Sequence, residues 1–191
     1  MNATKQFRTN GVCAGFSVIE LVIAVLIMGI MAAVAMSRLL EGDIYNATVV
    51  RDQLVSLARA AQQRALGRGD VALIVRPNGN DLDITTAEDF VDINTYTTLQ
   101  FSRIDARSVT LRGDVNVIDS CGATPGTDAL NNAAPMVIQY DELGDLRRGG
   151  VTSGAGYPVT ATSAMRLCIN GEAATSLCFS PAGYAYAGDC Q

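Results

Sequence analysis

The stretch that decides the fold is residues 15–36, GFSVIELVIAVLIMGIMAAVAM. It carries a single charge, Glu20, and residues 16–36 are long enough as a helix to cross a hydrocarbon layer of about 30 Å. A carboxylate costs roughly 2.5–3.5 kcal/mol at the centre of a spanning helix, and less near an end. Glu20 therefore has two interpretations: an interfacial carboxylate without a role, or a charge that meets a partner.

A short polar segment precedes the apolar run, with Lys5 and Arg8 as its only charges. Such a segment resembles the positively charged beginning of an export signal. A secretory signal is cleaved after its apolar core, where Ala32, Ala33 and Ala35 supply small residues. The helical pattern continues through these positions, so an uncleaved signal anchor is a further alternative.

Residues 15–21, GFSVIEL, resemble the signal of type IV prepilins. The resemblance implies that prepilin peptidase cuts between Gly15 and Phe16 and that Phe16 is then N-methylated. It also implies that Glu20 is the assembly carboxylate, which pairs with the Phe16 amine of a neighbouring subunit, since an unpaired charge in a dry core is costly. Ser37 stands where many major pilins carry a proline, which favours a minor subunit.

This resemblance predicts a leader at 1–15, a transmembrane and assembly helix at 16–38, and a periplasmic pilin-like domain at 39–191. The expected fold class is α+β: a long N-terminal helix, membrane-spanning and then amphipathic, packed on a C-terminal antiparallel β-sheet domain. The expected location is the bacterial inner membrane, single-pass, before assembly, and the periplasm or a cell-surface pilus afterwards. The expected partners are other pilin or pseudopilin subunits through the N-terminal helix, prepilin peptidase and the inner membrane.

An amphipathic helix is predicted at 41–66, because apolar residues recur there at steps of three and four. A helix continuous from residue 16 to residue 66 can be interrupted at Gly42, and Gly67 and Gly69 are expected to end it. The apolar positions that we expect to face a sheet are Ile44, Ala47, Val50, Leu54, Leu57, Ala58, Ala61 and Ala65.

The pattern changes to strands in the predicted β domain, 70–191. A hairpin is expected around residues 77–80, Pro-Asn-Gly-Asn, which have turn chemistry. Strands that follow a helix in this way indicate an antiparallel sheet. Further β-type runs lie at 95–102, 108–118, 136–150, 165–170, 176–181 and 183–188, with a loop predicted at 120–135.

Four cysteines follow the predicted leader, which itself holds Cys13. An even number of cysteines in an exported domain favours two structural disulfides. Cys168 and Cys178 can face each other across a hairpin, which would leave Cys121 with Cys190. Alternatively, Cys178 pairs with Cys190 and closes a C-terminal loop. Both pairings stay open at the level of sequence.

Composition argues against several classes of function. The chain has 14 basic and 19 acidic residues, a net charge of −5, and loss of Lys5 and Arg8 with the leader makes it 12 − 19 = −7. This balance argues against general nucleic-acid binding, which needs a basic surface. The chain has no histidine, the commonest general base and a frequent zinc ligand. We therefore expect no enzyme, no cofactor and no metal site.

Three groups of charged residues are interpreted as solvated turns. Asp81 with Asp83 can be cast as an acid–base or metal pair, but no histidine or cysteine ligands accompany them. The acidic residues at 141, 142 and 145 lack the spacing of a calcium loop. The arginines at 147 and 148 can bind a phosphate or a partner carboxylate, although a solvated turn is the simpler interpretation.

The C-terminal half resembles the H-type minor pseudopilins and the related FimT-like minor pilins, through residues 138–150, IQYDELGDLRRGG, and 176–190, SLCFSPAGYAYAGDC. The four-cysteine ending is similar to minor subunits of mannose-sensitive haemagglutinin pili. The implied function is a minor type IV pilin that helps initiate or cap pilus assembly, with adhesion at the tip as a further role. The alternatives are an H-type minor pseudopilin of type II secretion and, from another class, a ligand-binding tip module for adhesion or DNA uptake.

Overall fold

A computed structural model describes residues 17–40, 42–115, 129–152 and 158–190. The chain divides into two compact units, residues 1–41 and residues 42–191. The described part of the first unit is one helix, α1 (Val18–Leu40). The second unit contains a helix, α2 (Gly42–Ala65), and every strand that the structure describes.

Helix α1 begins at a polar cap. The Ser17 hydroxyl accepts a hydrogen bond from the Ile19 N–H at 3.2 Å, and the Ser17 carbonyl accepts one from the Glu20 N–H at 3.0 Å. Serine is among the best residues at this position because its oxygen satisfies an N–H that has no partner within the helix. Glu20 therefore lies in the first turn of α1.

The predicted fold class, with one long N-terminal helix that spans a membrane and then becomes amphipathic, is wrong. The described residues form two helices, of 23 and 24 residues, and the rest of the regular structure is antiparallel β-sheet. Glycine is disfavoured inside helices, and Gly42 is the first residue of α2.

Within the part of the chain that the structure describes, no helix has the length and apolar character needed to cross a membrane. The predicted location, single-pass in the bacterial inner membrane and later in the periplasm or a cell-surface pilus, depended on such a helix and is wrong as well.

Helix α2 buries one face, as its periodicity predicts. Ala47, Val50, Leu54, Ala58, Ala61 and Ala65 of the predicted stripe are at most 1% exposed. After the helix, Gly67 adopts a positive φ of 75°, and its N–H donates to the Glu142 carbonyl at 2.9 Å. Glycine reaches this left-handed conformation without the strain that a Cβ would add.

In the described part of the chain, ten strands follow α2, and every pairing between them is antiparallel. Their bounds are β1 Val71–Asn78, β2 Asp81–Asp92, β3 Thr95–Asp105, β4 Thr110–Val115, β5 Met136–Tyr140, β6 Leu146–Val151, β7 Val159–Thr160, β8 Met165–Asn170, β9 Ala174–Phe179 and β10 Ala185–Ala187. The predicted hairpin is confirmed, because Asn78 pairs with Asp81 across a turn that contains Gly79, whose φ is 65°.

The strands form two sheets. The larger has six strands in the order β3-β2-β1-β5-β6-β7, and the smaller has four in the order β10-β9-β8-β4. The main core joins α2 to both sheets, and its largest fully buried side chains include Leu54, Leu73, Tyr140, Leu167 and Phe179. Alternation along β1 places Leu73 in this core and Ile74 in a second apolar cluster, which also contains Phe90 of β2.

Candidate functional site

The surface of α1 is the most unusual feature of the described chain. Over residues 17–32, where its side chains are described, every residue is exposed, and the large apolar side chains range from 46% exposed at Val22 to 82% at Val18. Monomeric soluble proteins rarely expose contiguous apolar patches larger than a few hundred Å². An apolar helix exposed on all sides indicates a surface that other apolar groups cover.

Glu20 is the only charge among residues 17–32 of this surface, and its side chain is exposed. It makes no ion pair with any residue that the structure describes. A carboxylate in the first turn is favourable because the helix N-terminus carries a partial positive charge, an effect of typically 0.3–1 kcal/mol. The helix therefore tolerates Glu20 by itself and leaves its carboxylate free to accept a cation.

Several predicted site residues lie outside the described part of the chain. These are the leader 1–15 with Gly15, the new N-terminus Phe16, and Cys121. Cleavage between Gly15 and Phe16 and methylation of Phe16 therefore stay predictions.

One disulfide joins Cys178 of β9 to Cys190, with their Cα atoms 5.2 Å apart. Of the two pairings left open by the sequence, this is the C-terminal loop closure, and the alternative Cys168–Cys178 is wrong. The reason is register: β8 and β9 pair so that Cys168 faces Ser176, and Cys178 faces Arg166. Cys168 is also disulfide-bonded, and its partner lies outside the described residues.

The loop closed by this disulfide packs on α2 through polar contacts that the sequence analysis missed. Arg59 donates from Nε to the Ala185 carbonyl at 2.9 Å, and its guanidinium lies 4.6 Å from the centre of the Tyr184 ring. Gln62 donates from Nε2 to the Ala182 carbonyl at 2.8 Å and to the Gly144 carbonyl at 3.1 Å. These side chains hold two turns on the helix. Both residues fall between the apolar positions of the helical pattern, and that pattern carries no signal of these contacts.

The acidic groups have local structural partners. Asp83 accepts two hydrogen bonds from Arg103, at 2.6 and 3.2 Å, and this contact is the main reason why the pKa of its carboxyl lies below the ordinary value. Asp141 accepts the N–H groups of Leu143 and Asp145, both at 2.9 Å, within a turn.

Of the two predicted basic residues, Arg147 pairs with Asp70, with Nη1 and Oδ1 2.6 Å apart. Over the described ranges, no three acidic, cysteine or histidine side chains lie close enough together to hold a metal ion. These charged groups therefore stabilise turns and strand pairs in the described structure.

Along α2, the described residues form surface cavities that include the following two. One, of about 350 Å³, is lined by Gln63, Arg64, Leu66, Arg68 and Leu99. The other, of about 390 Å³, lies beside Asp52, Ser56 and Arg59. Neither pairs a nucleophile with a histidine, since the chain has none.

Comparisons of the chain with protein-family models, with curated proteins and with solved structures find no match. What the chain does must therefore be inferred from its own residues and geometry. The exposed helix α1 with Glu20 is the feature that most needs a functional explanation.

Proposed function

We propose that this chain is a structural subunit of a filament, a minor type IV pilin that joins other pilin or pseudopilin subunits through α1 and helps initiate or cap assembly. The observation that carries the proposal is the exposure of the large apolar side chains of α1 on every side. A helix of this kind is stable in water only when other apolar surfaces cover it.

The apolar surface of α1 supplies the driving force for assembly. Burial of apolar area contributes about 25 cal/mol per Å², so a fully covered valine, leucine or isoleucine contributes roughly 1.5–3 kcal/mol. Between residues 18 and 31 of α1, eleven large apolar side chains are available for such burial. Apolar contacts are not directional, however. By themselves they do not define which subunits become neighbours or the axial position of one α1 helix relative to the next.

Glu20 is proposed to define this relative position. In a packed bundle of apolar helices its carboxylate is buried, and it then needs a cation close by. The proposed cation is the amine of Phe16 on a neighbouring subunit, created by prepilin peptidase when it cuts after Gly15. The pair defines the axial register between subunits, because only one relative height brings the two charges together.

The residue 42–191 unit is proposed to form the filament surface. It has its own core and a disulfide that restrains its C-terminus, as expected of a folded domain that is carried by an assembly helix. An H-type pseudopilin of type II secretion would use α1 and Glu20 in the same way and is the alternative within this class. For a ligand-binding tip module, no specific observation among the described residues adds support.

The test replaces Glu20 and follows assembly. Glu20→Gln keeps the size and removes the charge, so it should leave the chain processed and folded but absent from filaments. Breaking a buried ion pair by removing one partner costs roughly 3–5 kcal/mol, which is a factor of more than a hundred in incorporation. The measurement is the ratio of chain in sheared filaments, or in complexes with partner subunits, to total chain.

Glu172→Gln is the matched control, because it makes the same chemical change at an exposed turn between β8 and β9. It should assemble like the wild type. Normal incorporation of Glu20→Gln would remove the pairing role from the proposal. Purified full-length chain that stays monomeric in water without detergent would contradict the assembly role of α1 itself.

A further inference from the structure

The edges of the two sheets are protected to very different degrees. Strand β7 has two residues and β10 has three, and such short edges offer little backbone for pairing. The edge strand β4 is partly covered, because Leu130 donates its N–H to the Leu111 carbonyl at 3.0 Å and Ala129 bridges to Arg112. Strand β3 has 11 residues and pairs only with β2 among the described strands.

The outer side of β3 presents free backbone groups. Ala106 donates its N–H to the carbonyl of Asn80, which lies opposite it in the same register as the strand pairs. Antiparallel partners alternate between pairs that exchange hydrogen bonds and pairs that do not. Residues 100, 102 and 104 therefore bond to β2, whereas Phe101, Arg103 and Asp105 direct their N–H and C=O groups outward.

The composition of β3 leaves this edge open to another strand. Residues 95–102, TYTTLQFS, contain no charge, proline or glycine. The pairing of β3 with β2 shifts register opposite Thr86 and Ala87, which leaves Leu99 as an extra residue in β3. The regular part of the strand whose outer edge is open for pairing is therefore residues 100–105. Its two charges are already paired within the chain, Arg103 with Asp83 and Asp105 with Arg107, both at 2.6 Å.

The side chains of Phe101 and Arg103 favour a second copy of β3 as the strand that pairs with this edge. In an antiparallel pair related by a two-fold axis at Ser102, Phe101 of each copy lies opposite Arg103 of the other. A guanidinium over an aromatic ring is attractive, and Arg103 already lies 5.6 Å from the Phe101 ring of its own chain. An axis one residue further along would place Arg103 opposite its own copy, which is unfavourable.

We propose that β3 is a self-association edge: it pairs antiparallel with β3 of a second copy of this chain, centred on Ser102, and joins two six-stranded sheets into one. Phe101 and Arg103 define the register, and the outward N–H and C=O groups of these two residues on each copy supply the hydrogen bonds. This edge belongs to the residue 42–191 unit, so the proposal does not depend on the role of α1.

The test uses the full chain in detergent micelles and compares two variants that place opposite charges at the same exposed residue. Phe101→Arg places like charges opposite Arg103 of the second copy, whereas Phe101→Glu places opposite charges there. Because each dimer contains the contact twice, the arginine variant should self-associate at least about fivefold more weakly than the glutamate variant. Sedimentation measures the association, and hydrogen exchange of residues 95–105 over a range of chain concentrations locates it.

The expected result is that the amides of residues 101 and 103 become protected in the wild type as concentration rises and stay unprotected in Phe101→Arg. Val159→Glu on the edge strand β7 is the control for a charge at an exposed edge and should associate like the wild type. Equal association of the two Phe101 variants, or wild-type β3 amides whose exchange does not depend on concentration, would overturn the proposal. Protection produced only by a different protein would overturn it too.

Discussion

Removal of the Cys178–Cys190 disulfide should destabilise the domain by about 3 kcal/mol. The two residues are 12 apart in sequence, and closing a loop of that size restricts the unfolded chain by about this free energy at 25 °C. The closed loop contains the end of β9, the turn at residues 180–184 and β10. The perturbation is Cys178→Ala together with Cys190→Ala, which leaves no free thiol at this site.

The structure separates the crosslink from packing. Cys178 is fully buried and Cys190 is 8% exposed, so Cys190→Ala alone breaks the bond and keeps the buried Cys178 sulfur in place. Most of the 3 kcal/mol should therefore appear in this single variant, and the double variant should add only the loss of packing around residue 178. The loop carries the contacts of Tyr184 and Ala185 with Arg59, which should loosen in both variants.

The assay is urea unfolding of the full chain in detergent micelles, followed by tyrosine fluorescence since the chain has no tryptophan. The midpoint should fall, and the dependence on urea should steepen slightly because the unfolded chain is less compact without the crosslink. Hydrogen exchange of residues 180–190 should rise before global unfolding. A free energy of unfolding within about 0.5 kcal/mol of the wild type would refute the reasoning that loop closure stabilises this domain.

The remaining predictions concern a glycine contact and a buried phenol. Gly183→Ala should destabilise more than Gly79→Ala: both glycines have positive φ, 72° and 65°, but only at 183 does an added Cβ meet the Gly144 carbonyl oxygen. Strain alone costs roughly 1–2 kcal/mol, so a loss at 183 no greater than that at 79 in thermal or urea unfolding would contradict the contact. Burial raises the pKa of Tyr140, so its stabilising contribution is present below the ordinary value of 10.0 and is lost as pH rises above it. Tyr140→Phe should reduce the loss of stability above pH 10, although it also removes a weak 3.4 Å hydrogen bond to the Ala58 carbonyl. An alkaline unfolding profile identical to that of the wild type would contradict this prediction.

The sequence by itself determined the local elements whose signals are short-range. The buried stripe of α2 follows from alanines and larger apolar residues at three- and four-residue steps, and the structure buries that stripe. The turn between β1 and β2 follows from Asn78 and Gly79, whose backbone preferences hold wherever the hairpin lies. The single charge of Glu20 within an apolar run is likewise a property of the residue order alone.

The sequence indicated Gly42 as a point where the N-terminal helix can be interrupted, but the pattern did not decide that it is. A periodic pattern on both sides of Gly42 predicted one long helix, whereas the structure has two helices in separate compact units. Periodicity reports which residues of a segment avoid water, but it does not report whether successive segments share one axis.

Only the tertiary structure decided how the strands divide between sheets and which cysteines meet. β4 lies between β3 and β5 in the chain, yet it joins the smaller sheet through β8, a choice made by long-range packing that no local pattern carries. Cys178 had two plausible partners in sequence, and the β8–β9 register excluded Cys168. Disulfide pairing depends on distances of a few ångströms between chain segments, and those distances exist only once the sheets have packed.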